Sequence, residues 1–277
     1  MIAETESVSL PIPHPSAAFD AIAQDYDRIF THSRLGSAHR SLVHEQLRRY
    51  LRKGQRILDL NCGTGEDAVY LASLGMCVVA CDISECMIDI AGKKATHRDY
   101  IGQIEFAVCA NERLSTLGRQ GSFDAVLSNF GGLNCTEDLH GVARQLSRLV
   151  RPGGRLFLCL IGRVCAWEIV WYAARGKWRK AFRRLDPRAT RASVGGESVY
   201  IHYPSMRDMK QAFGPWFRLE SWRGIGIVLP PSWLAYRFES RPRLVNLLRQ
   251  VDRGLGAVPA LRGLADHVLF EFVREEK

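Results

Sequence analysis

The 277-residue chain carries 38 Lys and Arg against 29 Asp and Glu, a formal charge of +9, with 47% hydrophobic and 24% charged residues. That balance excludes a disordered or fibrous chain and allows one enzyme-sized domain with an inserted or appended element. Most of the excess charge is local, since residues 175–191 hold eight Lys or Arg against one Asp and the remainder is nearly balanced.

Residues 1–16 read as a flexible tail, and Glu4, Glu6, Pro11, Pro13 and Pro15 interrupt any signal-peptide pattern. Helical spacing follows at 17–30 (Phe19, Ile22, Ala23, Tyr26, Ile29, Phe30) and at 38–52 (Leu42, Leu47, Leu51). From Gln55 the pattern alternates. Apolar runs at 56–60, 77–82, 104–109, 123–128 and 155–161 read as buried strands, separated by helix-compatible segments at 66–74, 84–95 and 137–150. Ser84 and Thr136 are placed to cap the second and last of these helices, and Arg151-Pro152-Gly153-Gly154 to end the last one. Alternation of this kind predicts an α/β fold, a parallel sheet with helices on both faces.

After residue 162 the rhythm changes. An aromatic, basic helical stretch over 164–185 precedes a hairpin turning at Gly195-Gly196, so residues 162–203 are expected to form an insertion in a core that spans 17–161 and closes over 204–277. Helices at 205–213 and 243–255 and strands at 216–222 and 267–273 complete the core. The most apolar long window, 156–174, contains Arg163 and Glu168 and is too interrupted to span a membrane. Eight cysteines scattered through apolar stretches form no C-x-x-C pair, which predicts reduced thiols in a cytoplasmic protein and no metal site.

The chemistry concentrates in Ile57-Leu-Asp-Leu-Asn-Cys-Gly-Thr-Gly-Glu-Asp67, a strand entering a glycine turn that opens a helix. Gly63 and Gly65 let a ligand approach the backbone, and the helix start offers unpaired N–H groups. Neither G-x-G-x-x-G nor a P-loop is present, and Asp59 at the strand end would repel a pyrophosphate. Asp82 ends the second strand 19 residues after Gly63, close to the separation at which an acid receives ribose hydroxyls. A nucleoside ligand without phosphates, carrying a positive centre, suits both acids.

Asp59-Leu-Asn-Cys-Gly-Thr-Gly65 followed by Cys81-Asp82-Ile-Ser-Glu-Cys-Met87 resembles the glycine-rich and ribose-binding motifs of class I S-adenosylmethionine-dependent methyltransferases. The resemblance covers residues 20–161, the closing strands resemble the reversed hairpin that ends that Rossmann-like fold, and together they imply a mostly parallel seven-stranded sheet with helices on both faces. It implies S-adenosyl-L-methionine as cofactor. Gly63 and Gly65 would pass beneath its methionine part, with Asp59 at the amino group, Asp82 on the ribose, and Ile83 and Met87 against the adenine. Asn111 and Glu112 would meet the adenine edge, Asn129 would stand beside the methyl donor, and Tyr26 would close over the methionine carboxylate. Asn61 replaces the glycine usual after the strand, and Ala110 stands where many relatives carry an acid.

Methyl transfer from a sulfonium is a direct displacement that needs alignment in a desolvated pocket and, for some acceptors only, a general base. Asn134, Glu168, His202 and Tyr203 are the candidate catalytic residues, with His140 and His267 as further polar groups. Trp167, Trp171, Trp178, Phe182 and Leu185 recur on one helical face of the basic segment. Three readings stay open there: a lid over the site, a helix in an anionic membrane interface or against an acidic partner, and a solvated face. A small-molecule or lipid-like acceptor is the leading expectation. The alternatives are a nucleic-acid methyltransferase, disfavoured because Ser128-Asn129-Phe130-Gly131 departs from the Asn-Pro-Pro-aromatic pattern of base methylation, and a non-catalytic binding protein of the same fold.

Overall fold

The computed structural model describes residues 15–276 other than 99, 101, 187 and 188. The expected tail over 1–16 lies outside the described residues except for its last two, which open helix α1 (Pro15–Tyr26). One π-helical turn, Asp27–Thr31, continues α1 before Ser33 caps α2 (Arg34–Tyr50) by accepting the Gly36 N–H. Strand β1 (Arg56–Leu60) leads into α3 (Glu66–Ser73), β2 (Cys77–Asp82) into α4 (Glu85–His97), and β3 (Ile104–Val108) into a 3-10 turn over Asn111–Thr116. After β4 (Phe123–Ser128) come a short turn at Gly132–Cys135, α5 (Leu139–Leu149) and β5 (Val150–Ile161).

Next come α6 (Ala166–Ala173), the single turn α7 (Trp178–Ala181), and the hairpin β6 (Thr190–Val194) and β7 (Glu197–Ile201). Helix α8 (Met206–Phe213), β8 (Phe217–Ile225), α9 (Pro242–Leu255) and β9 (His267–Arg274) end the described chain. Seven strands form one sheet in the order β3-β2-β1-β4-β5-β9-β8, with β1 to β5 parallel and β9 antiparallel to both its neighbours. The order reverses direction between β1 and β4, and in open α/β sheets a crevice for ligands forms at the carboxyl ends of strands flanking such a point.

Side-chain alternation along the strands divides the core. Ile57, Val78, Ala125, Leu127 and Phe157 face α2, α3 and α9, whereas Leu58, Leu60, Val126, Leu156 and Leu158 face α5 and α8. Leu146 and Phe213 are completely buried in the second layer, where truncation to Ala costs about 2–5 kcal/mol.

Ser84 caps α4 through the Met87 N–H, as the sequence suggests, but Asp138 rather than Thr136 caps α5. Thr136 is buried and accepts a hydrogen bond from Asn111 instead. Strand β5 begins at Val150, not after Gly154, and residues 151–154 bulge out between Val150 and Arg155. The continuous helix expected over 164–185 is broken, because Gly176 adopts φ +68 and separates α6 from α7. Its five aromatic and apolar residues therefore divide. The Trp167 indole donates to the Val228 carbonyl and Trp171 packs on Trp233, while Trp178, Phe182 and Leu185 are exposed.

Candidate functional site

The turn from β1 to α3 takes three left-handed residues, Asn61 at φ 59, Gly63 at φ 53 and Gly65 at φ 74. Asn is among the non-glycine residues that tolerate this region. A side chain at Gly65 would put its Cβ 2.7 Å from that of Ala91, so the glycine sets how closely α4 approaches the turn. At Gly63 the nearest atom to such a Cβ is Tyr26 Cε1 at 3.9 Å, because this residue faces a cavity instead. The Gly63 N–H donates to Asp82 Oδ2 at 2.9 Å and the Ser84 N–H to Oδ1 at 3.0 Å. Burial raises the Asp82 carboxyl above its ordinary range, against the pull of these backbone donors.

The cavity holds about 650 Å³, within the range of about 300–1,000 Å³ for small-molecule sites. Over β1, β2 and β3 its wall is polar, with Asn61, Gly63, Asp82, Asn111 and Glu112 beside Ile83 and Met87. A chain of side chains fixes that floor. The Ser128 hydroxyl donates to Asn61 Oδ1 at 3.1 Å, Asn61 Nδ2 to Asn111 Oδ1 at 3.1 Å, and Asn111 Nδ2 to Thr136 at 2.6 Å. Over β4, β5 and β9 the wall turns apolar, with Phe130, Ile161 and the His267 ring.

Helix α1 and the π-turn cover the opening with Phe19, Ile22, Tyr26, Ile29 and Phe30, and the β6–β7 hairpin adds Val194 and Ile201. The hairpin tip packs on α1, since a Cβ at Gly195 would sit 2.7 Å from that of Ala21. Burial pushes the Tyr26 hydroxyl up to about 12, so it stays protonated as a donor. Polar ties hold α1 at the carboxyl edge of the sheet. Ser84 donates to Asp20 at 2.5 Å, Thr64 to Asp27 at 2.6 Å, and Lys94 pairs with Asp27 at 2.8 Å.

Beneath the turn lies a buried acid cluster that sequence patterns do not single out. Asp67 accepts from Arg40, from His44 at 2.6 Å and from Asn129 Nδ2 at 3.1 Å. Although burial alone raises its carboxyl, Arg40 and His44 hold it well below the usual range. Asp59, by contrast, is pushed far up by burial and by the Asp67 charge, and its Oδ2 has no hydrogen-bond partner among the described residues. Asp59 and Gly65 lie under the cavity and do not line it. Asn129 does line it, and its Oδ1 is also buried without a partner among the described residues. Local spacing marks only Asp67, as the acid closing the glycine motif. Arg40 and His44 reach it from α2 across more than twenty residues of sequence, so no local pattern marks them.

The four expected catalytic residues fall elsewhere, and the side chains of Asn134, Glu168 and Tyr203 have structural employments. Asn134 Nδ2 donates to the His202 and Ile161 carbonyls, and its Oδ1 accepts the Ile161 N–H at 2.8 Å. Glu168 is 1% exposed and neutralises Arg184 at 2.5 Å and Arg183 at 2.6 Å. Tyr203 lies under the Arg184 guanidinium, and His202 is tied by its backbone to Asn134. None of the four lines the cavity. His140 is exposed against Trp216, whereas His267 does line it. Arg184 thus belongs to the interior rather than to the basic surface of 175–191. Among the described residues, no group of three or more His, Cys, Asp or Glu is gathered as metal ligands, and all eight cysteines are unpaired.

A family profile described as "Methyltransferase domain" matches residues 57–154, the span from the glycine turn to β5. Demethylmenaquinone methyltransferase of Beutenbergia cavernae is 33% identical over 177 residues, covering 63% of this chain and 68% of that protein. The chain belongs to the class I methyltransferase family. The methyltransferase is also similar to demethylmenaquinone methyltransferase of Clavibacter sepedonicus, at 35% identity over 144 residues, 52% of this chain and 56% of that protein. Among solved structures, geranyl diphosphate C-methyltransferase from Streptomyces coelicolor A3(2), complexed with Mg2+, geranyl diphosphate and S-adenosyl-L-homocysteine, superposes with a TM-score of 0.56. That match covers 84% of this methyltransferase and 78% of the other at 16% identity, and shows a shared fold. The methyltransferase uses S-adenosylmethionine as cofactor.

Proposed function

We propose that this methyltransferase transfers the methyl group of S-adenosylmethionine to an apolar, lipid-like small molecule held in the half of the cavity over β4, β5 and β9. The observation that carries the reading is the division of one cavity into a polar half at the switch point and an apolar half roofed by α1 and the hairpin. The residues fit the cofactor: Gly63 leaves open space where a side chain would intrude, and Asn129 Oδ1 is a buried acceptor without a partner among the described residues. When bound, the cofactor supplies an electrophilic methyl group with its own leaving group, so alignment and dryness are the protein's main tasks.

In this reading each Asp82 oxygen, already fixed by one backbone N–H, offers its remaining lone pairs to the ribose hydroxyls. Ile83 and Met87 flank the adenine, and Asn111 and Glu112 meet its edge. The partnerless Asn129 oxygen faces the positive end of the ligand, while Asp59 and Gly65 act from beneath by shaping the turn and its field. Tyr26 closes the near side. The acceptor rests among Phe130, Ile161, Ile201 and Trp233.

A second feature favours an acceptor drawn from an anionic membrane surface. Residues 174–180 are all exposed and carry Arg175, Lys177, Arg179 and Lys180 around Trp178, which is 61% exposed, with Phe182 at 44%. Trp233 lines the cavity and stacks on Tyr172 of α6, linking this patch to the mouth. Aromatic and cationic side chains together are what an interfacial segment needs. No described helix is long and apolar enough to cross a membrane, so the contact would be peripheral.

Two relatives are named for a prenylated quinone precursor, which makes a prenylated naphthohydroquinone a suitable probe. Incubation with methyl-labelled S-adenosylmethionine and this probe in vesicles should move label into the organic phase, faster with anionic than with neutral lipid. Label that stays in water-soluble products of a cell extract, with none in its lipids, would overturn the reading.

A further inference from the structure

His267, the first residue of β9, reaches the cavity beside a carboxylate, and its buried Nδ1 completes no hydrogen bond among the described residues. Its Nδ1 stands 3.3 Å from Asp266 Oδ2, and its ring meets Phe130 edge-on at a centroid distance of 5.3 Å. The carboxylate behind it cannot swing. Asp266 Oδ1 accepts from Arg184 Nη2 at 2.8 Å, while Arg184 Nη1 holds the Asp266 and Gly162 carbonyls at 3.1 and 3.2 Å. Glu168 in turn fixes Arg184 at 2.5 Å. One oxygen of Asp266 is committed to the guanidinium, and the other is the one nearer the imidazole. The ring's far nitrogen, Nε2, has no hydrogen-bond partner among the described residues on a side chain that lines the cavity.

We infer that His267 is the general base of the transfer, that Asp266 and Arg184 are positioning residues for it, and that the acceptor therefore carries an ionisable hydroxyl. The inference rests on the proposed cavity reading and narrows it. As the acceptor oxygen bonds to the methyl carbon, its proton passes to Nε2 and the methyl–sulfur bond breaks with its electron pair going to sulfur. The positive charge that leaves the sulfonium reappears on the imidazolium, next to Asp266. The Asp266 carboxylate 3.3 Å from Nδ1 favours the Nδ1–H tautomer, which leaves Nε2 free to take the proton.

The charged and titratable groups that face the imidazole come from every neighbour. His39 on α2 lies 6.1 Å away, ring to ring, and burial holds its pKa down to about 4, so it stays neutral near pH 7. Arg184 faces Asp266 from beyond α7, and Arg40 covers the far side of Phe130 at 5.0 Å. Burial notwithstanding, the neighbouring His267 ring and the Arg184 charge hold the Asp266 carboxyl far below its ordinary range, so it remains the fixed anion of the set.

The test combines kinetics with an acceptor-free readout. His267→Gln keeps an amide nitrogen near Nε2 and should lower kcat for the prenylated naphthohydroquinone by about 100-fold or more, while S-adenosylhomocysteine affinity stays within about twofold. The acidic limb of the wild-type pH–rate profile should vanish in that variant. Asp266→Asn should move the limb and give a smaller loss. Independently, NMR of histidine-labelled wild-type protein with S-adenosylhomocysteine should show neutral His267 as the Nδ1–H tautomer. Unchanged kcat and pH profile in His267→Gln would overturn the inference. So would an Nε2–H tautomer, and because this is read on the wild-type protein it decides the matter even if the variant fails to fold. A wild-type protein that methylates no hydroquinone but shows the Nδ1–H tautomer would count against the acceptor reading instead.

Discussion

Replacing Asp82 by Asn is expected to weaken cofactor binding about 30-fold while leaving the protein folded. Each carboxylate oxygen accepts one backbone N–H, at 2.9 Å from Gly63 and 3.0 Å from Ser84, and retains lone pairs toward the cavity. An asparagine preserves the shape, but its NH2 must oppose one of those N–H donors, and the negative charge is gone. Hydrogen bonds to a charged acceptor contribute about 1.5–3 kcal/mol, against about 0.5–1.5 for neutral pairs. Losing about 1 kcal/mol on each of two ribose hydroxyls gives about 2 kcal/mol, or about 30-fold in affinity. Calorimetric titration with S-adenosylmethionine and S-adenosylhomocysteine measures the effect directly. Affinity within about twofold of wild type would remove Asp82 from the binding site.

Gly65→Ala should cost about 2–5 kcal/mol, from left-handed backbone strain at φ +74 and a Cβ 2.7 Å from that of Ala91, read as a fall in denaturant midpoint at unchanged slope. His39 is held neutral by burial, with its pKa lowered from 6.5 to about 4, so the unfolded chain takes up a proton that the folded one refuses as pH falls through that window. The stability it contributes is present above pH 6.5 and declines by about 3 kcal/mol by pH 4. His39→Leu should flatten the stability profile over that range, and an unchanged slope in urea titrations would refute the assignment. Reversing Lys177, Arg179 and Lys180 to Glu should reduce partitioning onto anionic vesicles by about 100-fold or more, at about 1 kcal/mol per charge, without altering cofactor affinity. Arg184 is left out of that set because it is ion-paired in the interior with Glu168 and Asp266, and its reversal would report unfolding.

The sheet and the polar half of the cavity are legible in the sequence because local residues dictate them. A run such as Arg56-Ile-Leu-Asp-Leu60 is a buried strand whatever surrounds it, and Gly63 and Gly65 mark the turn because their positive φ angles disfavour most other residues. Asn61, Asp82, Asn111 and Asn129 come together because each follows or ends a strand of the same parallel sheet. The insertion is less legible. Spacings of 4, 7, 4 and 3 from Trp167 to Leu185 look helical, yet Gly176 breaks the run, and nothing local says which aromatics turn inward. Glu168 looks like a candidate base because it is acidic in an apolar segment, but its partner is an arginine 16 residues on that needs a buried counter-charge. Conversely, the adjacent pair Asp266-His267 is plain in the sequence, whereas its place in the cavity depends on β9 running antiparallel beside β5.

The central claim is that one cavity at the switch point holds the cofactor in its polar half and leaves its apolar half for the acceptor. A crystal structure of the methyltransferase with S-adenosylhomocysteine tests this most directly. The account predicts the ribose on Asp82, the adenine between Ile83 and Met87, and open space beside Phe130, Ile161 and His267. A ligand bound elsewhere, or one whose adenosine fills the space over β4 and β5, would contradict it.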